Sequence, residues 1–256
     1  MRVIAALGWN TFLEAIRDKI LYLLLFFGIF LFAASRLLAP LALGEGRRIS
    51  LDVGLASISL FGCLITIFVG HQLIFREIDQ KTLYFVFSRP VRRVDFIWGK
   101  FLGLWGILAV AVFAMGLILC GVLAISGYSF GWPVIQAIGL VFLELTVLAS
   151  LALLIASFTS PILAGLLTLS AYLIGHGSGD ILQLMESLTT PALQSVLRAV
   201  SWIVPRLDLY GEMLPVLQDT GWTAVQYGWG IAYAVIYATA ALTLAGVVLE
   251  RRDFHL

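Results

Sequence analysis

Residues 134–158 read VIQAIGLVFLELTVLASLALLIASF, and their only ionisable side chain is Glu144. A helix rises about 1.5 Å per residue, so this run would be about 37 Å long, which exceeds the roughly 30 Å hydrocarbon core of a bilayer. The stretch therefore predicts a membrane-spanning helix.

Five further runs predict five more spanning helices. The protein has 256 residues, of which 61% are hydrophobic and 12% charged, and its mean hydropathy is +1.02. This composition excludes a soluble protein. We expect a single all-α, polytopic membrane domain over residues 1–256 with six transmembrane helices, the other five being 20–38, 53–75, 101–126, 161–176 and 224–249. The run 161–176 would span only about 24 Å and needs neighbouring residues or local bilayer thinning.

Basic residues are distributed unevenly between the two sides of the membrane. Eleven of the 16 Lys and Arg fall on the side of both termini and of residues 76–100, and five fall on the other side. The positive-inside rule then places both termini in the cytoplasm and predicts a multi-pass protein of a cytoplasmic (inner) membrane. The 15 Asp and Glu nearly balance these cations, so we expect no nucleic-acid partner.

Residues 1–19 predict an N-terminal interfacial helix, which is retained rather than cleaved as a signal peptide. Its apolar residues recur at helical spacing, and they are Trp9, Phe12, Leu13, Ile16 and Ile20. Such an amphipathic helix lies along the membrane surface. The alternative is a simple extension of the first span.

Residues 76–100 predict a short amphipathic element between the second and third spans. Asp79 is placed to cap a helix that ends at Pro90 and shows three apolar residues on one side, Leu83, Val86 and Phe87. An element joined to two membrane helices is suited to transmit a movement from a partner protein to those helices. Alternatively, Arg92, Arg93 and Lys100 only obey the positive-inside rule.

Three motifs in this loop resemble the first cytoplasmic loop of ATP-binding-cassette exporter permeases of the type-2 superfamily. They are Lys81-Thr82-Leu83, Ser88-Arg89-Pro90-Val91 and Gly99-Lys100-Phe101-Leu102-Gly103. The nearest resemblance is to the permease of copper-site maturation systems for nitrous oxide reductase. Lys81 departs from the pattern, because relatives usually carry Gly before the Thr.

The resemblance implies an N-terminal elbow helix and a coupling helix that docks on a separate ABC ATPase subunit. Apolar anchors for that contact would be Leu83, Val86 and Phe87, with polar contacts at the rim from Glu77, Arg89 and Arg93. It also implies a dimer, because six spans make half of the usual pathway. The second half would be another permease copy or a related chain.

The sequence contains no phosphate-binding loop of the Gly-x4-Gly-Lys-Ser/Thr type. Its only Gly-Lys pair, Gly99-Lys100, precedes Phe101 and has Val94 in place of the first glycine. We therefore expect no enzyme activity and no bound cofactor, with ATP and Mg held by the partner ATPase. Two cysteines inside apolar runs and three scattered histidines predict neither a disulfide nor a metal site.

Residues 177–223 form an apolar external segment that is too long for a tight turn. A helical stripe runs from Leu193 to Val204 and stops at Pro205. In related exporters this region forms the external gate, so the resemblance implies a gate-like segment. The alternative is an interfacial helix with no gating role.

Glu144 lies deep in its span, about 16 Å from Pro133 along the helix. A carboxyl at this depth must face protein or water, pair with a partner, or be protonated. Substrate contact and proton linkage are the functional interpretations, and a hydrogen-bonded structural carboxyl is the alternative. His71 lies near a helix end, where solvation or a bond to a backbone carbonyl is expected.

Two other functions fit parts of the sequence. Gly175-His176-Gly177-Ser178-Gly179 brings a His and a Ser together, as an intramembrane serine protease requires. However, His176 replaces the glycine of the Gly-x-Ser-Gly motif, and residues 224–249 contain no His. A non-transporting membrane scaffold or ATPase-regulated signalling subunit would share the same coupling loop.

Overall fold

A computed structural model describes five continuous parts of the protein and some residues of its N-terminal region. The continuous parts are residues 46–79, 93–128, 131–179, 204–211 and 221–251. Near the N-terminus the described residues are 8, 9, 11–13, 22, 25, 26, 28–30, 32 and 33, and all of them are helical.

The five continuous parts contain five α-helices and one short 3-10 turn. The helices are α1 (Gly46–Asp79), α2 (Arg93–Ile125), α3 (Trp132–Phe158), α4 (Pro161–His176) and α5 (Ala224–Arg251), and the 3-10 turn is Asp208–Tyr210. Proline opens α3 and α4, where its fixed φ and missing N–H suit the first helical turn. Between those two helices, Thr159 and Ser160 are extended and turn the chain back.

Four of the described helices, α1, α2, α3 and α5, are long and apolar enough to cross a membrane. The shorter α4 has the bounds predicted from the sequence, and so does the apolar part of α5, Ala224–Leu249. The all-helical, multi-pass architecture is therefore confirmed for the part of the chain that the structure describes. The predicted span 20–38 lies mostly outside the described residues, so the count of six stays a prediction.

Two helices extend beyond their apolar runs. The 34-residue α1 begins at Gly46, seven residues before the predicted run, and continues through Asp79. Within the described residues, α1 therefore includes Asp79, which the sequence predicted as the cap of a separate helix. The 33-residue α2 begins at Arg93, so residues 76–79 and 93–100 belong to long helices. The rest of the predicted coupling loop 76–100, residues 80–92, lies outside the described part, so the coupling loop stays a prediction.

The centre of the described fold is α3, which contacts each of the other four helices. Leu145, Leu148 and Ala152 on this helix have no exposed surface. Because every residue from 144 to 153 of α3 is buried, a polar side chain in this stretch must find partners among the neighbouring helices. This enclosure decides the environment of Glu144.

Glycines on α2 let N-terminal residues approach its backbone. A Cβ on Gly103 would lie 2.5 Å from Thr11 Cβ and 3.0 Å from the carbonyl oxygen of Gly8. Thr11 is accordingly buried. This contact joins Gly8 and Thr11 to the first part of α2. Most of residues 1–19 lie outside the described part, so the interfacial elbow helix stays a prediction.

Candidate functional site

Glu144 accepts a hydrogen bond from a serine on a neighbouring helix. Ser59 Oγ of α1 donates to Glu144 Oε1 of α3 over 2.7 Å, and both side chains are buried. One turn along α1, Gly62 leaves room for Leu145, whose side chain occupies the space that a Cβ would need. This close approach of α1 and α3 brings Ser59 within reach of the carboxyl group.

Two side chains of α4 complete this group. Tyr172 Oη lies 2.8 Å from Ser59 Oγ. The single hydroxyl hydrogen of Ser59 is directed to Glu144, so Tyr172 donates to Ser59. One turn later, the imidazole of His176 lies with its centroid 4.5 Å from that of the Tyr172 ring. We call Ser59, Glu144, Tyr172 and His176 the polar cluster.

The two nitrogens of His176 face different groups. Nδ1 lies 3.3 Å from the carbonyl oxygen of Tyr172, which only accepts hydrogen bonds, so Nδ1 carries a hydrogen. Nε2 lies 3.6 Å from Glu144 Oε1, which is too long for a hydrogen bond. When Nδ1 carries the hydrogen of a neutral imidazole, Nε2 can only accept a hydrogen bond. An ionised Glu144 can also only accept, so the two groups can bond to each other only if one of them binds one more proton. The pair is therefore arranged to hold a proton or to receive a donor from a ligand.

A cavity of about 240 Å³ reaches the polar cluster from the end of the molecule where α1 begins and α4 ends. It lies between α1, α3, the end of α4 and the 3-10 turn. Its polar and aromatic lining consists of Asp52, Ser59, Glu144, His176, Tyr210 and Trp222. Glu144 itself is only 1% exposed, so it lies at the deep end of this cavity.

The segment 204–211 is folded against the end of α4 and forms one wall of the cavity. The Leu207 N–H donates to the carbonyl of Gly175, whose missing side chain leaves the space that Leu207 occupies. Tyr210 Oη donates to the carbonyl of Gly230 on α5 over 3.0 Å. Burial raises the pKa of Tyr210, and the neighbouring Tyr233 raises it further, so the hydroxyl remains a donor at neutral pH.

Trp222 is fixed at the rim by a pair of hydrogen bonds to one amide side chain. The Trp222 N–H donates to Gln136 Oε1 over 3.1 Å, and Gln136 Nε2 donates to the Trp222 carbonyl over 3.3 Å. The preceding Gly221 has a φ of +68°, and a Cβ there would lie 2.6 Å from Gln136 Oε1. Glycine is thus required for the chain to turn into this position.

The structure places the residues predicted from the sequence in two separate regions. Glu144 is at the polar cluster, whereas Glu77 is in the last turn of α1 and Arg93 is the first residue of α2. The side chains of Glu77 and Arg93 are not among those described. The remaining predicted coupling residues lie outside the described part, and they are Leu83, Val86, Phe87 and Arg89.

Sequence reasoning did not identify the partners of Glu144. Ser59, Tyr172 and the cavity residues Asp52, Tyr210 and Trp222 show no shared spacing or motif. The cost of a buried carboxyl predicted that partners exist, but it did not identify them. For His71, the sequence left open solvation or a bond to a backbone carbonyl. The residue is 6% exposed and is hydrogen-bonded to the backbone of Ile67, which is the second of these alternatives, and its Nε2 lies 3.3 Å from Thr168 Oγ1.

Neither protease nor metal chemistry gains support from the described residues. His176 faces Tyr172 and Glu144, and the buried Ser178 Oγ has no hydrogen-bond partner in the described part. A serine nucleophile needs a base within hydrogen-bond reach, and this arrangement does not supply one. Within the same residues, no group of three or more His, Cys, Asp or Glu is placed to hold a metal ion.

A known family matches nearly the whole chain. The model of the family described as ABC-2 family transporter protein matches residues 5–254. None of the curated proteins matches this chain. The match confirms the resemblance drawn from the coupling-loop motifs at the level of the family. The finer likeness to copper-site maturation permeases stays a prediction.

Proposed function

This chain belongs to the ABC-2 family of transporter proteins, and we propose that it is the permease subunit of an ATP-driven exporter. The observation that carries the proposal is the family match over residues 5–254, together with several helices able to cross a membrane. Permeases of this family are typically non-catalytic membrane components. In this role the chain forms the translocation pathway as a dimer, with a second copy or with a related permease.

ATP hydrolysis belongs to a separate ABC ATPase subunit in this proposal. The sequence lacks a phosphate-binding loop, so ATP and Mg are held by the partner. The distribution of Lys and Arg supports a cytoplasmic (inner) membrane location with both termini and residues 80–92 facing the ATPase. Residues 177–223 then lie on the external side.

The course of α1 supports a mechanical link between the ATPase side and the polar cluster. This helix is continuous from Ser59 to Asp79, a distance of about 30 Å along its axis. At one end it leads into residues 80–92, and at Ser59 and Gly62 it contacts α3. A tilt of α1 imposed by the ATPase would therefore change the separation of Ser59 and Glu144. Such a tilt would couple ATP hydrolysis to the shape of the cavity.

The scaffold or signalling alternative shares the coupling loop but needs no internal binding site. The buried Glu144 beside a cavity of about 240 Å³ favours transport over that alternative. Transport assays with the assembled complex separate the two functions.

Crosslinking to the cognate ATPase tests the proposal. Single cysteines at positions 78–92 are introduced after Cys63 and Cys120 are replaced by Ala, and the two subunits are co-expressed. We expect crosslinks from this segment and none from a matched Gly211→Cys control, which is exposed at the opposite end of the molecule. Crosslinks from Gly211→Cys alone would show that the assigned membrane orientation is inverted. Saturable ATP hydrolysis by the isolated chain would contradict the assignment of hydrolysis to a separate subunit.

A further inference from the structure

We propose that the cavity beside the polar cluster binds a small organic ammonium group, with Glu144 as its counter-ion. The inference rests on the proposed function only where the ligand is called a substrate, because binding itself is a property of the isolated chain. It extends the proposal by naming the chemical class that the pathway recognises.

The charges around the cavity favour a cation. Its described lining includes two carboxyl groups, Asp52 and Glu144, and no described lysine or arginine. At the rim, Arg48 Nε lies 3.9 Å from Asp52 Oδ2. Both of these side chains are about half exposed, so their interaction is screened by solvent at the rim. Glu144, deep in the cavity, has no arginine or lysine partner among the described residues.

The contacts of Glu144 leave part of its carboxyl group available. Both recorded contacts, from Ser59 Oγ and from His176 Nε2, go to Oε1. Neither of these two contacts uses Oε2, and the side chain lines the cavity although it is only 1% exposed. Beyond the hydrogen bond from Ser59, a positive group at the carboxyl would stabilise its ionised form in this buried place. A ligand ammonium is such a group.

The shape and walls of the cavity define the size of the ligand. Its volume of about 240 Å³ lies below the range of roughly 300–1,000 Å³ that is usual for drug-sized molecules, so it suits a head group. Tyr210 and Trp222 give it aromatic surfaces, which attract ammonium groups through their π-electrons. Ser59 and His176 add neutral polar contacts. The amine of a lipid head group and a free small amine share this chemistry.

Protection of a cysteine in the cavity tests the proposal. Ala56 lines the cavity and is exposed, so Ala56→Cys is introduced after Cys63 and Cys120 are replaced by Ala. The chain is placed in nanodiscs of phosphatidylglycerol, which has no amine, and its modification by N-ethylmaleimide is followed by mass spectrometry. We expect ethanolamine to slow the reaction at least threefold in a saturable manner. Ethylene glycol, which replaces the ammonium by a hydroxyl, should leave the rate unchanged.

Two variants assign the effect to Glu144. Glu144→Gln should abolish the protection by ethanolamine, whereas Asp95→Asn should retain it, because Asp95 lies in the first turn of α2 and does not line the cavity. If Glu144→Gln fails to fold, the comparison of ethanolamine with ethylene glycol in Ala56→Cys, which keeps Glu144, still tests the proposal. Equal protection by both compounds, no protection by either, or protection that survives in folded Glu144→Gln would overturn the proposal.

The source of the ammonium group is distinguished by the lipid. If a lipid head group is the ligand, nanodiscs of phosphatidylethanolamine should protect Ala56→Cys without any added amine. If a free amine is the ligand, protection should require ethanolamine in both lipids. Capture of the ATPase is measured separately, so failure of ammonium binding with intact ATPase binding rejects this inference and leaves the permease function standing.

Discussion

Gly62 of α1 faces Leu145 of α3 so closely that the leucine side chain occupies the place of the missing Cβ. The adjacent residue on α3 is Glu144, and one turn back on α1 is Ser59, its hydrogen-bond donor. The packing contact and the polar contact therefore depend on the same helix separation. This relationship makes the packing of two membrane helices a determinant of the site's electrostatics.

Gly62→Ala should destabilise the protein, because its methyl group overlaps Leu145. Overpacking of this kind costs about 1–3 kcal/mol, so we expect a lower unfolding temperature in detergent. Gly121→Ala is the matched control, since a Cβ at that position on α2 meets nothing within 4 Å. The double variant Gly62→Ala/Leu145→Ala should lose less stability than the sum of the two single changes. Strictly additive losses would show that the two residues do not compete for space.

Replacement of Glu144 should separate its polar role from its charge. Glu144→Gln keeps an oxygen that accepts from Ser59, so thermal stability should change little. Glu144→Leu removes that acceptor from a buried position and should cost about 1–3 kcal/mol. If the charge serves transport, Glu144→Gln should lower substrate-stimulated ATPase activity of the assembled complex. Normal stability and activity in both variants would remove Glu144 from the mechanism.

Phe87→Ala should weaken binding of the ATPase while leaving membrane insertion intact. Loss of a large apolar anchor costs about 1–3 kcal/mol, which corresponds to a roughly 5- to 150-fold lower affinity. Phe113→Ala is a matched control, because that side chain is 67% exposed in the middle of α2 and not in the coupling segment. Affinities are measured by titrating the purified ATPase onto nanodiscs. Equal losses in the two variants would contradict a specific role for Phe87.

Gly221→Ala should loosen the rim of the cavity. The positive φ disfavours any side chain, and the added methyl group approaches Gln136 Oε1, which accepts from the Trp222 N–H. We expect hydrogen–deuterium exchange at the Trp222 amide to become faster. Gly228→Ala on α5, where a Cβ meets nothing within 4 Å, should leave that exchange unchanged. Unaltered protection of Trp222 in Gly221→Ala would show that the glycine is not needed for the clamp.

Hydropathy predicted the position of most described helices because the need to remove apolar side chains from water is a property of each local stretch. For this reason the bounds of α4 and of the apolar part of α5 agree with the sequence prediction. Hydropathy did not predict that α1 and α2 extend beyond their apolar runs into polar residues. Backbone hydrogen bonds continue the helices outside the apolar runs, and hydropathy does not register them.

The sequence by itself determined that the protein is a helical membrane protein, that Glu144 is a costly buried carboxyl, and that the chain resembles an ABC-2 permease. Only the tertiary structure decided which groups meet Glu144. Ser59 precedes it by 85 residues, and Tyr172 follows Ser59 by 113. Contacts between helices depend on which faces meet and how closely they approach. Here the contact of Gly62 with Leu145 sets the distance between α1 and α3, and no local sequence pattern predicts that contact.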